Sequence, residues 1–128
     1  MSLKIIIADD QKHARSGLRA LLRASMAQPE IWEAANGREA QELAEEHRPD
    51  LVLMDIKMPE VDGLAATRWI KARLPRVKIL VLSLQESSSA EAMAAGADAF
   101  ASKCESPETL LARVAELGFL PGPASPTP

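Results

Sequence analysis

The sequence predicts an α/β domain built on a parallel sheet, and three observations carry that expectation. Short apolar runs without alternation, Ile5-Ile6-Ile7-Ala8, Leu51-Val52-Leu53-Met54 and Ile79-Leu80-Val81-Leu82, suit strands buried on both faces. Helical patterns separate them, the alternation that builds right-handed βαβ units. The first two runs end in aspartates, Asp9-Asp10 and Asp55, at the strand end where open α/β sheets bind ligands.

With 128 residues the chain makes one domain with a full core and no need of disulfides or metal staples. Apolar residues make up 47% and charged residues 26%, ordinary for a globular protein. The formal net charge of −3 argues against a nucleic-acid-binding module, since most are basic. The single Cys104 cannot form an internal disulfide, which fits a reducing cytoplasm. The apolar run after Lys4 ends at Ala8 before two aspartates, so no signal peptide is expected. No apolar stretch reaches the length of a transmembrane helix.

The first strand is Lys4–Ala8. In residues 11–26, Ala14, Leu18, Leu21, Leu22 and Met26 fall near helical spacing. The opposite side carries Arg15, Arg19 and Arg23; a solvated helix face is the ordinary expectation, a docking stripe for a partner the sharper one. Gln28-Pro29 ends this helix, and Glu30–Ala35 forms a second strand in which Trp32 lies either under a helix or at a sheet edge. Asn36-Gly37 is a turn signal, followed by a helix with Ala40, Leu43, Ala44 and His47 on one stripe. His13 and His47 have no partner at metal-ligand spacing and are expected at the surface or a helix end. Pro49 closes the second helix before the third strand.

After Asp55, Pro59 breaks regular structure and Asp62-Gly63 opens a third helix that ends at Leu74-Pro75. Its buried face is expected to include Ala66, Ile70 and Leu74, with Trp69 on the flank covering neighbouring apolar atoms. The fourth strand ends in Ser83, and the polar stretch Gln85–Ser89 leads into a short, alanine-rich helix stopped by Gly96. Met93 is the only large apolar anchor that helix offers, so weak packing is expected. Ala97–Ser102 makes the fifth strand and leads to Lys103. Ser106 and Pro107 read as N-cap and N1 of a last helix with Leu110, Leu111, Val114 and Leu117 as its core stripe. Beyond Gly118 the composition turns to proline, which excludes regular structure.

If these strands are parallel neighbours, three carboxylates, the Ser83 hydroxyl and the Lys103 ammonium converge on one sheet edge. Two carboxylates ~5 Å apart repel by ~3 kcal/mol at an effective dielectric of ~20. Such a cluster calls for a cation, and oxygen ligands with room for water favour Mg²⁺.

Asp9-Asp10, Asp55 followed by Met58-Pro59 and Asp62-Gly63, then Ser83, Phe100 and Lys103, in this order, resemble the CheY-like receiver domain of two-component response regulators. The resemblance spans nearly the whole chain. It implies a CheY/flavodoxin-like fold, a five-stranded parallel sheet of order 2-1-3-4-5 flanked by five helices. It also implies a receiver over residues 1–118 and a Pro-rich tail or linker over residues 119–128.

The chemistry the resemblance implies is phosphoryl acceptance by Asp55 from a sensor histidine kinase. Asp10, Asp55 and the backbone carbonyl of Lys57 are then the Mg²⁺ ligands, with Asp9 acting through water, while Lys103 and Ser83 meet phosphoryl oxygens. Ser83 drawn towards the phosphate and Phe100 turning into the vacated space form the switch. Phosphorylation and dephosphorylation are self-catalysed, so the chain is not expected to be an enzyme in the usual sense. The resemblance allows a homodimer on phosphorylation. It places the domain in the cytoplasm, with no membrane and no nucleic-acid contact of its own.

The run from Lys103 to Leu110 and the ending Leu117-Gly118-Phe119-Leu120-Pro121 resemble receivers of the NarL/FixJ type. Those continue through a linker into a DNA-binding helix-turn-helix, so the expectation is an excised receiver or a regulator without an output domain. Three departures stand out. Leu84 is bulky where many relatives are small, and is expected to shield the phosphoryl group from water. Cys104 replaces the proline many relatives carry, so a trans or strained peptide is expected after Lys103. The stretch from Ser83 to Gly96 is shorter than usual, which shortens the fourth helix.

Two other classes compete. A Mg²⁺-dependent phosphohydrolase with an aspartyl phosphate usually has a second Asp two residues after the nucleophile, where this chain has Lys57. A phosphorylation-independent pseudo-receiver would lack acidic or acceptor residues, and all are present.

Overall fold

The computed structural model describes residues 2–119. Strands and helices alternate through β1 (Lys4–Ala8), α1 (Lys12–Ser25), β2 (Glu30–Ala34), α2 (Gly37–His47), β3 (Leu51–Asp55), α3 (Gly63–Arg73), β4 (Lys78–Ser83), α4 (Ser89–Ala94), β5 (Ala99–Ser102) and α5 (Pro107–Glu116). All pairings are parallel and the strand order is β2-β1-β3-β4-β5, as expected. Apart from Phe119, the proline-rich stretch expected at the end of the chain lies outside the described residues.

Successive strand side chains point to opposite faces, so each apolar run feeds two cores. Ile6, Val52, Met54, Ile79 and Val81 face α2, α3 and α4, meeting Ala40, Ala66, Ile70 and Ala92. Ile5, Ile7, Leu53, Leu80 and Leu82 face α1 and α5, meeting Leu22, Leu110 and Val114. Burial on both faces is why these runs show no alternation.

Helix ends follow their capping residues. Asn36, Asp62 and Ser106 accept the N–H groups of Glu39, Ala65 and Thr109, and Pro107 occupies the first turn of α5. At the far end of α4, Gly96 takes φ 104°, its N–H reaches Met93 O, and the Ala97 N–H reaches Ala92 O at 3.0 Å. That pair of bonds is a Schellman motif, which presses the residues at its two ends, Ala92 and Ala97, together in the core. Helix phase is thereby set: Ala92 is fully buried and Met93 is 49% exposed. Met93 is therefore not the anchor of α4; Ala92 is. A short 3₁₀ turn, Glu86–Ser88, precedes the helix.

The α1 stripe also departs from a plain solvated face. Arg15 and Arg19 both bind the Glu33 carboxylate of β2 at 2.9 Å, and Arg15 donates a further bond to Asp9 O at 2.7 Å. Only Arg23 of the three is left facing solvent. Trp32 lies under α2, its ring stacked on His47 with centroids 4.0 Å apart. Trp69 is half-buried against the α2–α3 side of the core, and the Arg73 guanidinium carbon sits 4.4 Å from its ring centroid. No cis peptide occurs among the described residues, so Lys103–Cys104 is trans.

Candidate functional site

The strand order builds the site. β1 and β3 are central neighbours, with Ala8 paired to Met54, so Asp9, Asp10 and Asp55 emerge side by side. Each offers a carboxylate oxygen within 4.8 Å of the others. β4 and β5 are registered Ser83 to Ser102, and the Lys103 N–H donates to Ser83 O at 2.8 Å. Lys103 therefore enters the carboxylate cluster from the β5 side. Its Nζ lies 2.7 Å from Asp9 Oδ2 and 3.3 Å from Asp55 Oδ1.

Asp9 is 1% exposed and both its oxygens are engaged, one by Lys103 and the other by the Gln11 N–H at 2.8 Å. Asp10, by contrast, is exposed and faces the opening. One ammonium against three carboxylates leaves negative charge in excess. Burial pushes the Asp55 carboxyl up; Lys103 opposes this, Asp9 and Asp10 add to it, and the balance lies above the ordinary carboxylate value. Burial alone would lower the Lys103 ammonium, but its bond to Asp9 and the charge of Asp55 prevail and raise it. This charge excess and the all-oxygen donor set fit a hard divalent cation such as Mg²⁺.

The opening is a cavity of about 470 Å³ lined by Asp10, Asp55, Lys57, Ser83, Leu84 and Lys103, among others. The Ser83 hydroxyl is buried and accepts the Gln85 N–H at 3.0 Å, which leaves its own proton free to donate. Phe100, paired with Val81, lies on the same sheet face as Ser83, two positions back along the ladder, and is half-buried. Leu84 lines the cavity and is 70% exposed, so in this conformation it stands at the rim.

Several supporting residues escaped the sequence reading. Gln11 caps Asp9, and Arg15 holds the Asp9 carbonyl. Gly37 and Gly63 sit where any Cβ would overlap backbone, Gly37 against Val61 O and Gly63 against Asp55 O. The Asn36-Gly37 and Asp62-Gly63 pairs signalled turns and a helix start, but neither pair says what backbone packs against the glycine.

The sequence profile of the family described as the response regulator receiver domain matches residues 5–115. Among curated proteins, the chain is 43% identical over 114 residues to the transcriptional regulatory protein LnrK of Bacillus subtilis, covering 88% of this chain and 52% of that one. It is 35% identical over 108 residues to the response regulator protein VraR of Staphylococcus aureus, covering 83% and 52%. The chain thus spans about half the length of these two relatives. A solved two-component response regulator of the LuxR family from Aurantimonas superposes with a TM-score of 0.82 at 31% identity, covering 91% of this chain and 86% of that one.

Proposed function

Since this chain belongs to the response regulator receiver domain family, the phosphorylation-based signalling module of two-component systems, we propose that Asp55 is its phosphoryl acceptor. The observation that carries this reading is the placement of Asp55, 3.3 Å from the Lys103 ammonium and within 4.8 Å of Asp9 and Asp10, at the mouth of an open cavity. A carboxylate oxygen of Asp55 attacks phosphorus, and the bond from phosphorus to the imidazole nitrogen of a sensor kinase breaks. The product is an acyl phosphate on Asp55 and a free histidine on the kinase.

Asp10, Asp55 and the Lys57 carbonyl are the residues we assign to Mg²⁺, with Asp9 contributing through water because both its oxygens are already occupied. When bound, Mg²⁺ supplies positive charge against the phosphoryl oxygens. Lys103 supplies a second positive charge, released from Asp9 or Asp55 as the phosphoryl group arrives. Ser83 donates its free hydroxyl proton to a phosphoryl oxygen, which draws the β4–α4 loop inward. Phe100, half-buried on the same face, repacks into the space beside it, so phosphorylation biases two packings of one face.

The domain acts as a switch whose phosphorylation and hydrolysis are its own only chemistry. It works in the cytoplasm as the receiver of a transcriptional regulator, and phosphorylation favours a homodimer. No helix among the described residues is long and apolar enough to cross a membrane. The deciding experiment is intact-mass analysis after incubation with acetyl phosphate and Mg²⁺. One phosphoryl group is expected on the wild-type chain and none on Asp55→Asn; equal uptake by the variant would sink the assignment.

A further inference from the structure

At the opposite end of the sheet from Asp55, the connections entering β3 and β4 form a second cavity of about 530 Å³. That volume lies within the roughly 300–1,000 Å³ of small-molecule sites. Along β3, Asp50 and Asp55 are separated by about 16 Å at ~3.3 Å per residue, so the two cavities are distinct. Four cations line this one: Arg48, Arg73, Arg76 and Lys78.

The ladder ends bring these cations together. Asp50 N–H bonds Lys4 O and Lys78 N–H bonds Asp50 O, which holds the α2–β3 and α3–β4 connections side by side. Among the described residues, Arg48, Arg73 and Arg76 have no carboxylate within 4.0 Å, and Lys78 has only Asp98 at 3.9 Å. The one carboxylate in the lining, Asp50, is occupied by the Lys4 N–H at 2.8 Å.

The ordinary explanation for cations here is compensation of helix dipoles. The C-caps of α2, α3 and α5 are Arg48, Leu74 and Leu117, and all three line the cavity. Each helix end is equivalent to roughly −0.5 charge, so three ends offset only about half of the surplus left after Asp50 and leave about +1.5. A phosphate monoester carries about −1.5 to −2 near neutral pH. The remaining wall is apolar, with the exposed Pro75 and the half-buried Phe119 offering flat surface.

We infer that this cavity binds a phosphomonoester borne on a flat apolar body, of the nucleoside monophosphate class, with Arg48, Arg76 and Lys78 on the phosphate and Pro75 and Phe119 against the base. It is a ligand site separate from the phosphorylation chemistry at Asp55.

Trp69 is a built-in reporter, because Arg73 both lines the cavity and lies over its ring. In a Trp32→Phe background, titration with 5′-AMP is expected to change Trp69 emission saturably. In ¹⁵N-labelled wild-type chain, the amides of Arg76 and Phe119 should shift along the same curve. Arg76→Glu should weaken binding at least about tenfold, the scale of one lost charge-assisted bond. Its labelling at Asp55 by acetyl phosphate should stay at the wild-type level, and Arg48→Gln provides a second, milder variant. Absence of saturable change by both readouts would overturn the site. Equal binding of adenosine would overturn phosphate recognition, and equal binding of inorganic phosphate would overturn the role of the apolar wall. Unchanged affinity in both variants would remove the arginines from it.

Discussion

Gly37 donates its N–H to the carbonyl of Val61 at 2.9 Å, and a Cβ at position 37 would overlap that same oxygen. The first turn of α2 is thereby fastened to the β3–α3 loop, which carries Lys57. Gly63 closes the other side of that loop: its N–H bonds Ile56 O at 2.8 Å, and it packs directly against the Asp55 backbone.

Gly37→Ala must push the loop away from α2, because the atom it would meet is backbone and cannot rotate aside. A stability loss of about 1–3 kcal/mol is expected, as for overpacking. Mg²⁺ affinity, followed by the amide shift of Lys57 in ¹⁵N-labelled chain, should fall as well, because the loop places the Lys57 carbonyl. Urea unfolding and a Mg²⁺ titration check the two effects separately. A variant destabilised but unchanged in Mg²⁺ affinity would show that the clasp does not position the site.

Glu33 gives a pH signature. Burial acts to raise its carboxyl, but hydrogen bonds and charge from Arg15 and Arg19 outweigh burial and hold it below the usual value. A depressed folded pKa contributes stability above the unfolded value, ~4.3 for Glu, and that contribution is lost as pH falls through the folded value. Glu33→Gln should cost about 1 kcal/mol at pH 7, the upper range for partly exposed pairs. Below about pH 4 the gap to wild type should narrow. A gap that stays constant from neutral to acid pH would rule out this linkage.

Lys71 forms a second clip. Its Nζ donates to Pro75 O at 3.1 Å, Val77 O at 2.8 Å and Asp98 Oδ2 at 3.0 Å, and that same Asp98 oxygen accepts the Ile79 N–H. The ion pair therefore ties α3 to both the start of β4 and the turn before β5. Lys71→Met leaves the half-buried Asp98 with only the more distant Lys78 ammonium at 3.9 Å and should cost about 2 kcal/mol, between surface and buried pairs. A thermal-unfolding cycle with Asp98→Asn should reveal strong coupling. Additive losses would mean that the two residues act independently.

α4 is six residues long and buries Ala92 in place of its larger neighbour. Alanine removes little apolar area from water, and short helices depend on tertiary anchoring. Amides in residues 89–94 should therefore exchange well before those in 107–116, where Leu110 and Val114 are buried. Equal protection in the two helices would contradict this account of the β4–α4 region.

Strand count, helix alternation and the acidic edge were all legible in the chain. Strands buried on both faces need uninterrupted apolar residues, and parallel connectivity returns every strand end to the same edge. Asp9, Asp10, Asp55, Ser83 and Lys103 consequently meet although Asp9 and Lys103 are far apart in sequence. What tertiary structure alone decided depends on helix phase and on backbone proximity. Met93 faces out because the Gly96 turn fixes Ala92 inward, a rotation that hydrophobicity alone would set the other way. Arg15 and Arg19 are drawn to Glu33 because α1 packs on the sheet face that carries Ile31 and Glu33, and nothing in a basic helical stripe names its partner. Trp32 finds His47 for the same reason: their contact joins β2 to the last turn of α2. The basic cavity is the clearest case, since each of its cations taken alone is an ordinary residue near a helix end. Only the docking of separate connections at one end of the sheet turns them into a pocket, because charge density depends on distances that local sequence does not contain.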